Sequence, residues 1–358
     1  MRNKYTNILR MPHAISIDIT NKCNLRCLHC FNNSGENEIC KDEMTDNEVL
    51  NFIGSLKDAN LYNVCFCGGE TLIRKELLIE CIRTIKKSGS HASMVTNGIL
   101  ADKKTILELE RAGIDAIQFS LDGLEISHNK LRNKDGVFQS VIDAIRIVLN
   151  ETKVHLSIAF SPTSFNTEEF LQVRDLLEKI YLESPRPKIK PNDYIEFRVQ
   201  PLMILGRAKN NHNIIPSNEQ YRKLVQNIHK TDSELFSKYI HVSWGDPIDH
   251  LIRYKDTSFL LDQLSIHANG DIVVSAYLPL VVGNIKKYSL MEYWLNGLNS
   301  IWSTNIVQYL VSQMQSIEDM EKISNKIGDI NMNKDLCLDV IENDLNDLNL
   351  IKDIILSL

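Results

Sequence analysis

Ile15-Ser16-Ile17-Asp18-Ile19 is a strand-like run, and the polar turn Thr20-Asn21-Lys22 follows it. The next stretch is a loop with three thiols, Cys23-Asn24-Leu25-Arg26-Cys27-Leu28-His29-Cys30. Three residues separate Cys23 from Cys27, and two separate Cys27 from Cys30. Three thiolates on one short loop can hold an iron–sulfur cluster at three corners and leave its fourth iron open to another ligand. Two alternatives stand beside this one: a zinc site completed by His29 or Cys40, and three ordinary buried thiols.

The bulk composition is that of a globular protein. The 358 residues, 43% apolar and 24% charged, are enough for two domains or for one large barrel with an appendage. The net charge of −6, with both signs interspersed, argues against a nucleic acid or an anionic membrane as the main partner. The apolar runs are too short to span a bilayer, and residues 1–12 lack the apolar core of a signal peptide. We therefore expect a cytoplasmic protein with reduced thiols.

The cysteines are distributed unevenly along the chain. Seven of the eight lie within the first 81 residues, and none lies between 82 and 336. This placement is unlike a disulfide framework and favours one N-terminal metal site. The eight are Cys23, Cys27, Cys30, Cys40, Cys65, Cys67, Cys81 and Cys337.

Strand-like and helical segments alternate from residue 14 to residue 200. The first helical pattern begins at the capping box Thr45-Asp46-Asn47-Glu48. The strand-like runs have near-continuous apolar residues, which is typical of a parallel sheet covered on both faces. We expect an α/β fold with a partial (β/α)6 TIM-like barrel, although a doubly wound sheet shows the same alternation. The six runs are 15–19, 61–67, 91–95, 114–120, 154–160 and 194–199.

The pattern changes after residue 200. We assign 14–200 to the barrel, 201–300 to a small α+β extension, 301–358 to a C-terminal helical segment and 1–13 to an N-terminal extension. Within 201–300, the pattern of 233–239 predicts a helix. The run 265–274 predicts a strand that Asn269-Gly270-Asp271 splits into a hairpin.

Unusual residues follow four of the strand-like runs. They are the cysteine loop, Gly68-Gly69-Glu70, Thr96-Asn97-Gly98 and Ser120-Leu121-Asp122-Gly123. The carboxyl ends of parallel strands lie at one edge of a sheet, where α/β proteins hold their functional groups. One site built from four loops is therefore favoured over four unrelated turns.

In these motifs the sequence resembles the radical S-adenosylmethionine (SAM) enzymes. The later Gly206-Arg207-Ala208 and the segments 266–271 and 283–285 resemble members with a C-terminal SPASM or twitch extension, so that the resemblance covers about 14–295. It implies one [4Fe–4S] cluster on Cys23, Cys27 and Cys30, with SAM on the open iron. It also implies reductive cleavage of SAM to a 5′-deoxyadenosyl radical that abstracts hydrogen from a substrate.

The resemblance further implies contacts with the methionine and adenine parts of SAM. Gly68 and Gly69 would let the backbone approach the methionine part, and Glu70 would hold its ammonium group. The alternative is an ordinary Gly-Gly turn after a strand. His29 stands in the aromatic position that packs against adenine, unless it is a capping or surface histidine.

Polar contacts with SAM are expected from four more residues. Ser120 and Asp122 end the fourth run, and Arg132 is placed to face the SAM carboxylate. Asn97 belongs to the same set. Arg132 also fits a solvated charge at a helix start, and Asn97 fits a plain turn residue.

The C-terminal extension departs from the subgroup it resembles. Ser275 and Ala276 stand where the first auxiliary-cluster cysteine is expected. We therefore expect no Cys-ligated auxiliary cluster, and an extension that caps the barrel and binds substrate. Cys65, Cys67 and Cys337 are interpreted as packed core thiols, the last because its neighbours look helical. Cys67 also lies at the catalytic end of its strand and could approach the cluster. A sharper hypothesis makes Cys337 the hydrogen donor to a substrate radical, as in similar peptide epimerases.

The substrate implied by the resemblance is a ribosomally made peptide. Cross-linking and inversion of an α-carbon are both open, and the missing auxiliary cysteines favour inversion because it is redox-neutral in the substrate. The expected partners are this peptide and an external electron donor of flavodoxin or ferredoxin type. Because residues 1–14 are too few for a leader-recognition domain, recognition would fall to the C-terminal region or to a separate leader-binding protein. The alternatives are the same chemistry on a small molecule, such as a sugar or cofactor precursor, and a structural zinc protein.

Overall fold

The structure is a computed structural model that describes residues 10–36, 42–59, 61–186, 193–245, 261–330 and 335–347, with 349 and 352. Cys40, the alternative zinc ligand, lies outside the described residues.

One sheet organises the fold, and eight of its neighbouring strands run parallel. These are β8 followed by β1 to β7, so the predicted α/β class with a parallel sheet is confirmed. Within the described residues β7 and β8 do not pair, which leaves the barrel open. The order is β11-β10-β9-β8-β1-β2-β3-β4-β5-β6-β7. The strands are β1 (Ala14–Asp18), β2 (Asn63–Cys67), β3 (His91–Thr96), β4 (Ala116–Ser120), β5 (His155–Phe160), β6 (Ile195–Val199), β7 (Ile240–Trp244), β8 (Gln263–Ile266), β9 (Asp271–Val273), β10 (Leu280–Asn284) and β11 (Leu336–Cys337).

Helices pack on one side of this sheet and begin where their caps predict. Thr45 forms the predicted capping box with Glu48, and Asp102 caps the helix that ends at the left-handed Gly113. The helices are α1 (Asp46–Ser55), α2 (Lys75–Lys87), α3 (Lys103–Ala112), α4 (Glu125–Arg132), α5 (Val137–Glu151), α6 (Phe170–Glu183), α7 (Asn218–Asp232), α8 (Leu290–Leu295), α9 (Asn305–Gln313) and α10 (Ile317–Ile330). None of the described helices is long and apolar enough to cross a membrane.

The two faces of the parallel sheet differ in burial. The sequence predicted near-continuous apolar strands covered on both faces. In β1 and β2 the residues Ile15, Ile17, Val64 and Phe66 are buried against the helices, while those between them are only half-buried. That prediction was wrong because the strands alternate with period two. We call the face that points away from the helices the lumen face. Its members include Ser16, Asp18, Cys65, Cys67, Ser93, Gln118, Ser120, Glu196 and Arg198.

The sheet continues past residue 200, where a helix was wrongly predicted. Residues 233–239 are turns and bends that lead into β7. The Ser237 hydroxyl accepts hydrogen bonds from the backbone N–H groups of Tyr239 (3.0 Å) and Ile240 (3.3 Å). Such local bonds offer the backbone an alternative to a helix. The domain boundary at 200/201 stays a prediction. Strands from both sides of it share one sheet, because β7 pairs with β6 and β8 pairs with β1.

The C-terminal region adds antiparallel strands to this sheet. The predicted hairpin is confirmed, with β8 and β9 joined by a turn in which Gly270 has φ +94°. Cys337 was predicted to pack in a helical core, and this is wrong. It lies in β11, beside Val281 of β10, and its side chain is exposed. The pairing joins segments 56 residues apart, which local periodicity does not reveal.

Candidate active site

The turn before Cys23 is held against the glycines that follow β2. The Gly69 N–H donates to the Thr20 carbonyl (2.7 Å), and the Glu70 N–H donates to the Lys22 carbonyl (2.9 Å). A Cβ atom on Gly69 would lie 2.4 Å from the Lys22 oxygen. Gly69 is therefore required for the close approach of two backbones.

A second segment, Gly206-Arg207, holds the other end of the cysteine loop. The Arg207 N–H donates to the Cys30 carbonyl (2.9 Å), and its Nε donates to the Cys27 carbonyl (2.9 Å). Gly206 has φ +53°, and a Cβ there would lie 2.5 Å from the Cys30 oxygen. The Gly206-Arg207-Ala208 motif thus shapes the loop on which the three thiols stand.

Replacing Gly206 with alanine is expected to destabilise this loop by about 1–3 kcal/mol, because the residue would be strained and would press on the Cys30 carbonyl. Iron and sulfide bound per chain after reconstitution should fall with it. Gly54→Ala is the matched control: its helical site has no atom within 4 Å of the added Cβ, and the change should stabilise by about 0.5–1 kcal/mol. Equal metal contents and equal urea midpoints for the two variants would contradict the proposed role.

The three thiols influence one another but are not gathered as metal ligands. Burial raises the pKa of Cys23 to about 11, with the neighbouring Cys27 and Cys30 thiols adding to the effect. Burial likewise raises the pKa of Cys27. Among the described residues no three His, Cys, Asp or Glu side chains stand together as a ready metal site. A positively charged iron cluster would offset the charge of these buried thiolates, so the donor set fits such a group.

Two side chains from other loops donate to these sulfurs. Asn97 Nδ2 lies 3.9 Å from Cys23 Sγ, and Arg132 Nη1 lies 3.8 Å from Cys27 Sγ. Asn97 also donates to Asn24 Oδ1 at 2.8 Å. Hydrogen bonds and positive charge near thiolate ligands are the means by which proteins tune a cluster.

Arg132 and Asp122, both predicted to contact SAM, form a buried ion pair with each other. Arg132 Nε donates to Asp122 Oδ2 at 2.7 Å, and both side chains are at least nine-tenths buried. Burial raises the pKa of Asp122, but the charge of Arg132 together with His29, His128 and the Ser161 N–H outweighs it, so the pKa lies below its ordinary value. Arg132 closes α4 and is no solvated charge at a helix start. His128 accepts the Asp122 N–H (3.0 Å), while its buried Nε2 has no partner within the described residues.

Glu70 is buried at the end of β2 and joins this strand to β3. Its carboxylate accepts hydrogen bonds from Thr96 Oγ1 (2.7 Å), Asn97 N (2.8 Å) and Leu72 N (3.0 Å). Burial raises its pKa despite these three donors. The carboxylate has about four acceptor positions, so one remains for a further donor.

His29 and Ser120 complete the set of predicted SAM contacts. Burial lowers the pKa of His29 to about 4, so its ring is neutral at neutral pH. Its buried Nδ1 has no partner among the described residues, which leaves a polar atom for a bound group. Ser120 lies half-buried on the lumen face at the end of β4.

Three of the remaining cysteines do not pack in a core. Cys65 and Cys67 are half-buried on the lumen face, so their interpretation as core thiols is wrong. Cys337 is not brought to the cysteine loop: β11 lies four strand spacings from β1, roughly 19 Å.

Sequence reasoning missed a histidine–carboxylate pair at the same edge. His267 Nδ1, just after β8, lies 3.2 Å from Asp18 Oδ2 at the end of β1. Burial lowers the pKa of His267, but the hydrogen bond and charge of Asp18 outweigh it and raise the pKa overall. The alternation of polar residues along β1 was the available signal.

Several curated proteins are similar in sequence to parts of this chain. A Fe-coproporphyrin III synthase of Methanosarcina barkeri is 27% identical over 45% of this chain and 40% of its own length. A GTP 3',8-cyclase of Clostridium perfringens is 30% identical over 58% and 60%. An AdoMet-dependent heme synthase of Methanosarcina barkeri is 22% identical over 80% and 83%. The chain thus spans less than two thirds of the length of the Fe-coproporphyrin III synthase and of the GTP 3',8-cyclase.

Solved structures show the same fold. SuiB of Streptococcus suis bound to S-adenosylmethionine has a TM-score of 0.61 at 18% identity, over 81% of this chain and 67% of that one. The coproporphyrinogen III oxidase HemN of Escherichia coli has a TM-score of 0.51 at 10% identity, over 99% and 92%. Residues 17–177, which carry the three cysteines and the loops after β2, β3 and β4, match the Radical SAM superfamily. This part of the chain is therefore a domain of the Radical SAM superfamily, and the chain shares its fold with SuiB and HemN.

Proposed function

We propose that this protein reductively cleaves SAM and uses the resulting radical to modify a ribosomally made peptide. The observation that supports this most is the cysteine loop, shaped from both sides by Gly69 and Gly206 and supplied with donors to its sulfurs. The peptide is supported by the likeness in fold to SuiB bound to its precursor peptide SuiA, with a TM-score of 0.62 at 17% identity. The reaction is placed in the cytoplasm, where the thiols stay reduced.

The cluster site is assigned to Cys23, Cys27 and Cys30. When bound there, a reduced [4Fe–4S] cluster with SAM on its open iron supplies a 5′-deoxyadenosyl radical. Asn97 and Arg132 would donate to the ligating sulfurs and hold the loop geometry. Asp122 fixes Arg132, because the pair is buried and shares a 2.7 Å hydrogen bond.

The SAM contacts are proposed for residues around this loop. Glu70 keeps one acceptor position for the ammonium group, and the neutral His29 ring is suited to pack against adenine. Asp122 keeps Arg132 oriented toward the loop, where the guanidinium also suits a carboxylate. Gly68 has φ +139°, which an L-residue rarely adopts, so it permits the turn between β2 and Glu70. Ser120 is placed on the lumen side of the same edge.

The extension is proposed to bind the substrate over the open barrel. β8 pairs with β1 in register, so β9 and β10 are fixed to the strand that leads into the cysteine loop. We propose no Cys-ligated auxiliary cluster there. An external donor of flavodoxin or ferredoxin type would supply electrons, and a separate leader-binding protein is a further candidate partner.

A small polar substrate is the second candidate. The lumen face presents Glu196 and Arg198 on β6, whose side chains are 39% and 51% exposed and lie 3.8 Å apart. An exposed guanidinium suits a carboxylate or phosphate. The relatives named as GTP cyclase and heme synthases act on small molecules, which supports this candidate.

The two candidates are separated by supplying substrate to the reconstituted enzyme. A short peptide encoded beside this gene is incubated with enzyme, SAM and reductant in D2O, and its mass is measured. Inversion is expected to add one deuterium, and a cross-link to remove two hydrogens. An unchanged peptide, with 5′-deoxyadenosine formation stimulated by a small polar molecule instead, would favour the second candidate.

A further inference from the structure

Cys65 and Cys67 are two thiols side by side on the lumen face of β2. Val64 and Phe66, the residues that alternate with them, are fully buried against the helices. The two sulfurs lie 3.6 Å apart, and both side chains keep some solvent-accessible surface. They therefore face the open barrel and not its core.

Groups from other strands surround this pair. Asp18 stands beside Cys67 in the β1–β2 register, and Ser93 stands beside Cys65 in the β2–β3 register. The pKa of Cys65 is lowered, first by the hydrogen bond from Cys67 and then by Ser93 and the charge of Arg198. Since Arg198 lies on β6, four strands from β2, the sheet curves enough for both to share one lumen.

Cys67 is the member of the pair nearer the candidate site. It is the last residue of β2, at the end of the strand where the four loops lie, whereas Cys65 stands two residues earlier. The pKa of Cys67 lies well above the ordinary value because of its hydrogen bond with Cys65 and its burial, which is consistent with a thiol that keeps its hydrogen.

The backbone of Cys67 is joined to the turn that leads into the cysteine loop. The Ile19 N–H donates to the Cys67 carbonyl (3.1 Å), and the Gly69 N–H, two residues on, donates to the Thr20 carbonyl (2.7 Å). The strand that ends at Cys67 therefore continues into the backbone that shapes the cluster loop.

We propose that the Cys65–Cys67 pair is a hydrogen-atom donor, with Cys67 giving its S–H hydrogen to a carbon radical in the lumen. This rests on the proposed radical function. The S–H bond breaks homolytically and a C–H bond forms, which leaves a thiyl radical on Cys67. One electron from the external flavodoxin- or ferredoxin-type donor and one proton from solvent restore the thiol.

The assignment favours inversion over cross-linking. Hydrogen is taken from the substrate once and returned once, so the substrate is neither oxidised nor reduced. The placement of Cys67 also makes it a better donor than Cys337, which is exposed on β11.

Deuterium transfer tests this without knowledge of the substrate. Reconstituted holoenzyme, freed of small thiols, is placed in D2O with SAM and dithionite, so that exchangeable thiols carry deuterium. With no substrate present, the 5′-deoxyadenosyl radical is expected to take deuterium from Cys67, and the 5′-deoxyadenosine should carry one deuterium. The quantity measured is the deuterated fraction of whatever 5′-deoxyadenosine forms.

Three variants assign the donor. Cys67→Ser should lose the deuterated fraction, while Cys65→Ser should retain it because the Cys67 thiol remains. Cys337→Ser, the matched control, should match the wild type. Retained deuterium in Cys67→Ser, or loss in Cys337→Ser, would overturn the assignment. If the wild type forms no 5′-deoxyadenosine at all, the proposed radical function is wrong, and the inference is wrong with it. If the wild type forms 5′-deoxyadenosine without deuterium, only the inference is overturned.

A second measurement does not depend on turnover. A trivalent arsenical that bridges two adjacent thiols should add once to the holoenzyme, as seen by intact mass, and should not add to Cys65→Ser. An absent adduct on the wild type would contradict an accessible pair of thiols facing the lumen.

Discussion

Changing any one of Cys23, Cys27 and Cys30 to alanine is expected to lower 5′-deoxyadenosine formation by about 100-fold or more. Loss of a residue that only hydrogen-bonds to a metal ligand typically lowers metal affinity or activity by about 10–100-fold, and loss of the ligand itself should lower them further. The loop offers three thiols, and the part of the chain that the structure describes shows no other group of three His, Cys, Asp or Glu side chains that could hold a metal. Each variant should also bind less iron and sulfide. Both quantities are measured after anaerobic reconstitution, the first by chromatography of the reaction products.

Cys337→Ala is the control for this series. Its side chain is exposed on β11, far from the loop, so iron content should equal that of the wild type. Full SAM cleavage by any one of the three loop variants would show that the cluster is not held as described here.

Arg132→Met is expected to destabilise the protein by about 3–5 kcal/mol, because it leaves the buried Asp122 carboxylate without its partner. Asp122 is fully buried, and Arg132 donates to it at 2.7 Å. The change also removes the donor to Cys27 Sγ. The midpoint of urea unfolding of the apo-protein reports the stability, free from any contribution of bound metal.

Two further variants separate charge from packing. Asp122→Asn combined with Arg132→Met removes both charges, and should recover most of the loss. Arg146→Met, on the solvent side of α5 with an ion pair of 3.9 Å to Asp143, should change stability by less than about 1 kcal/mol. An Arg132→Met midpoint equal to that of Arg146→Met would contradict a buried pair.

The repeating part of the fold was predictable from short-range patterns. Six strands and the capping box at Thr45 follow from local residues, because capping and strand periodicity act within a few positions. The helix predicted over 233–239 fails because Ser237 bonds its own neighbouring backbone. β8 and β11 depend on pairing with β1 and β10, which lie far away in sequence.

The candidate site was predictable in its members but not in their partners. The cysteines, Glu70, Asp122 and Arg132 stand out as motifs. Their partners depend on the geometry of four separate loops. This geometry pairs Arg132 with Asp122 and lets Glu70 join β2 to β3. The lumen position of Cys65 and Cys67 was within reach of the sequence, since their alternation with Val64 and Phe66 is visible in it.

The central claim is that the loop of Cys23, Cys27 and Cys30 holds a cluster that cleaves SAM. Its most direct test is the anaerobic reconstitution of the wild-type protein with iron and sulfide, followed by incubation with SAM and dithionite and quantification of 5′-deoxyadenosine. The account predicts a sulfide-containing chromophore and 5′-deoxyadenosine that forms only when the reductant is present. Retention of zinc without sulfide, or a cluster-loaded protein that forms no 5′-deoxyadenosine, would contradict it.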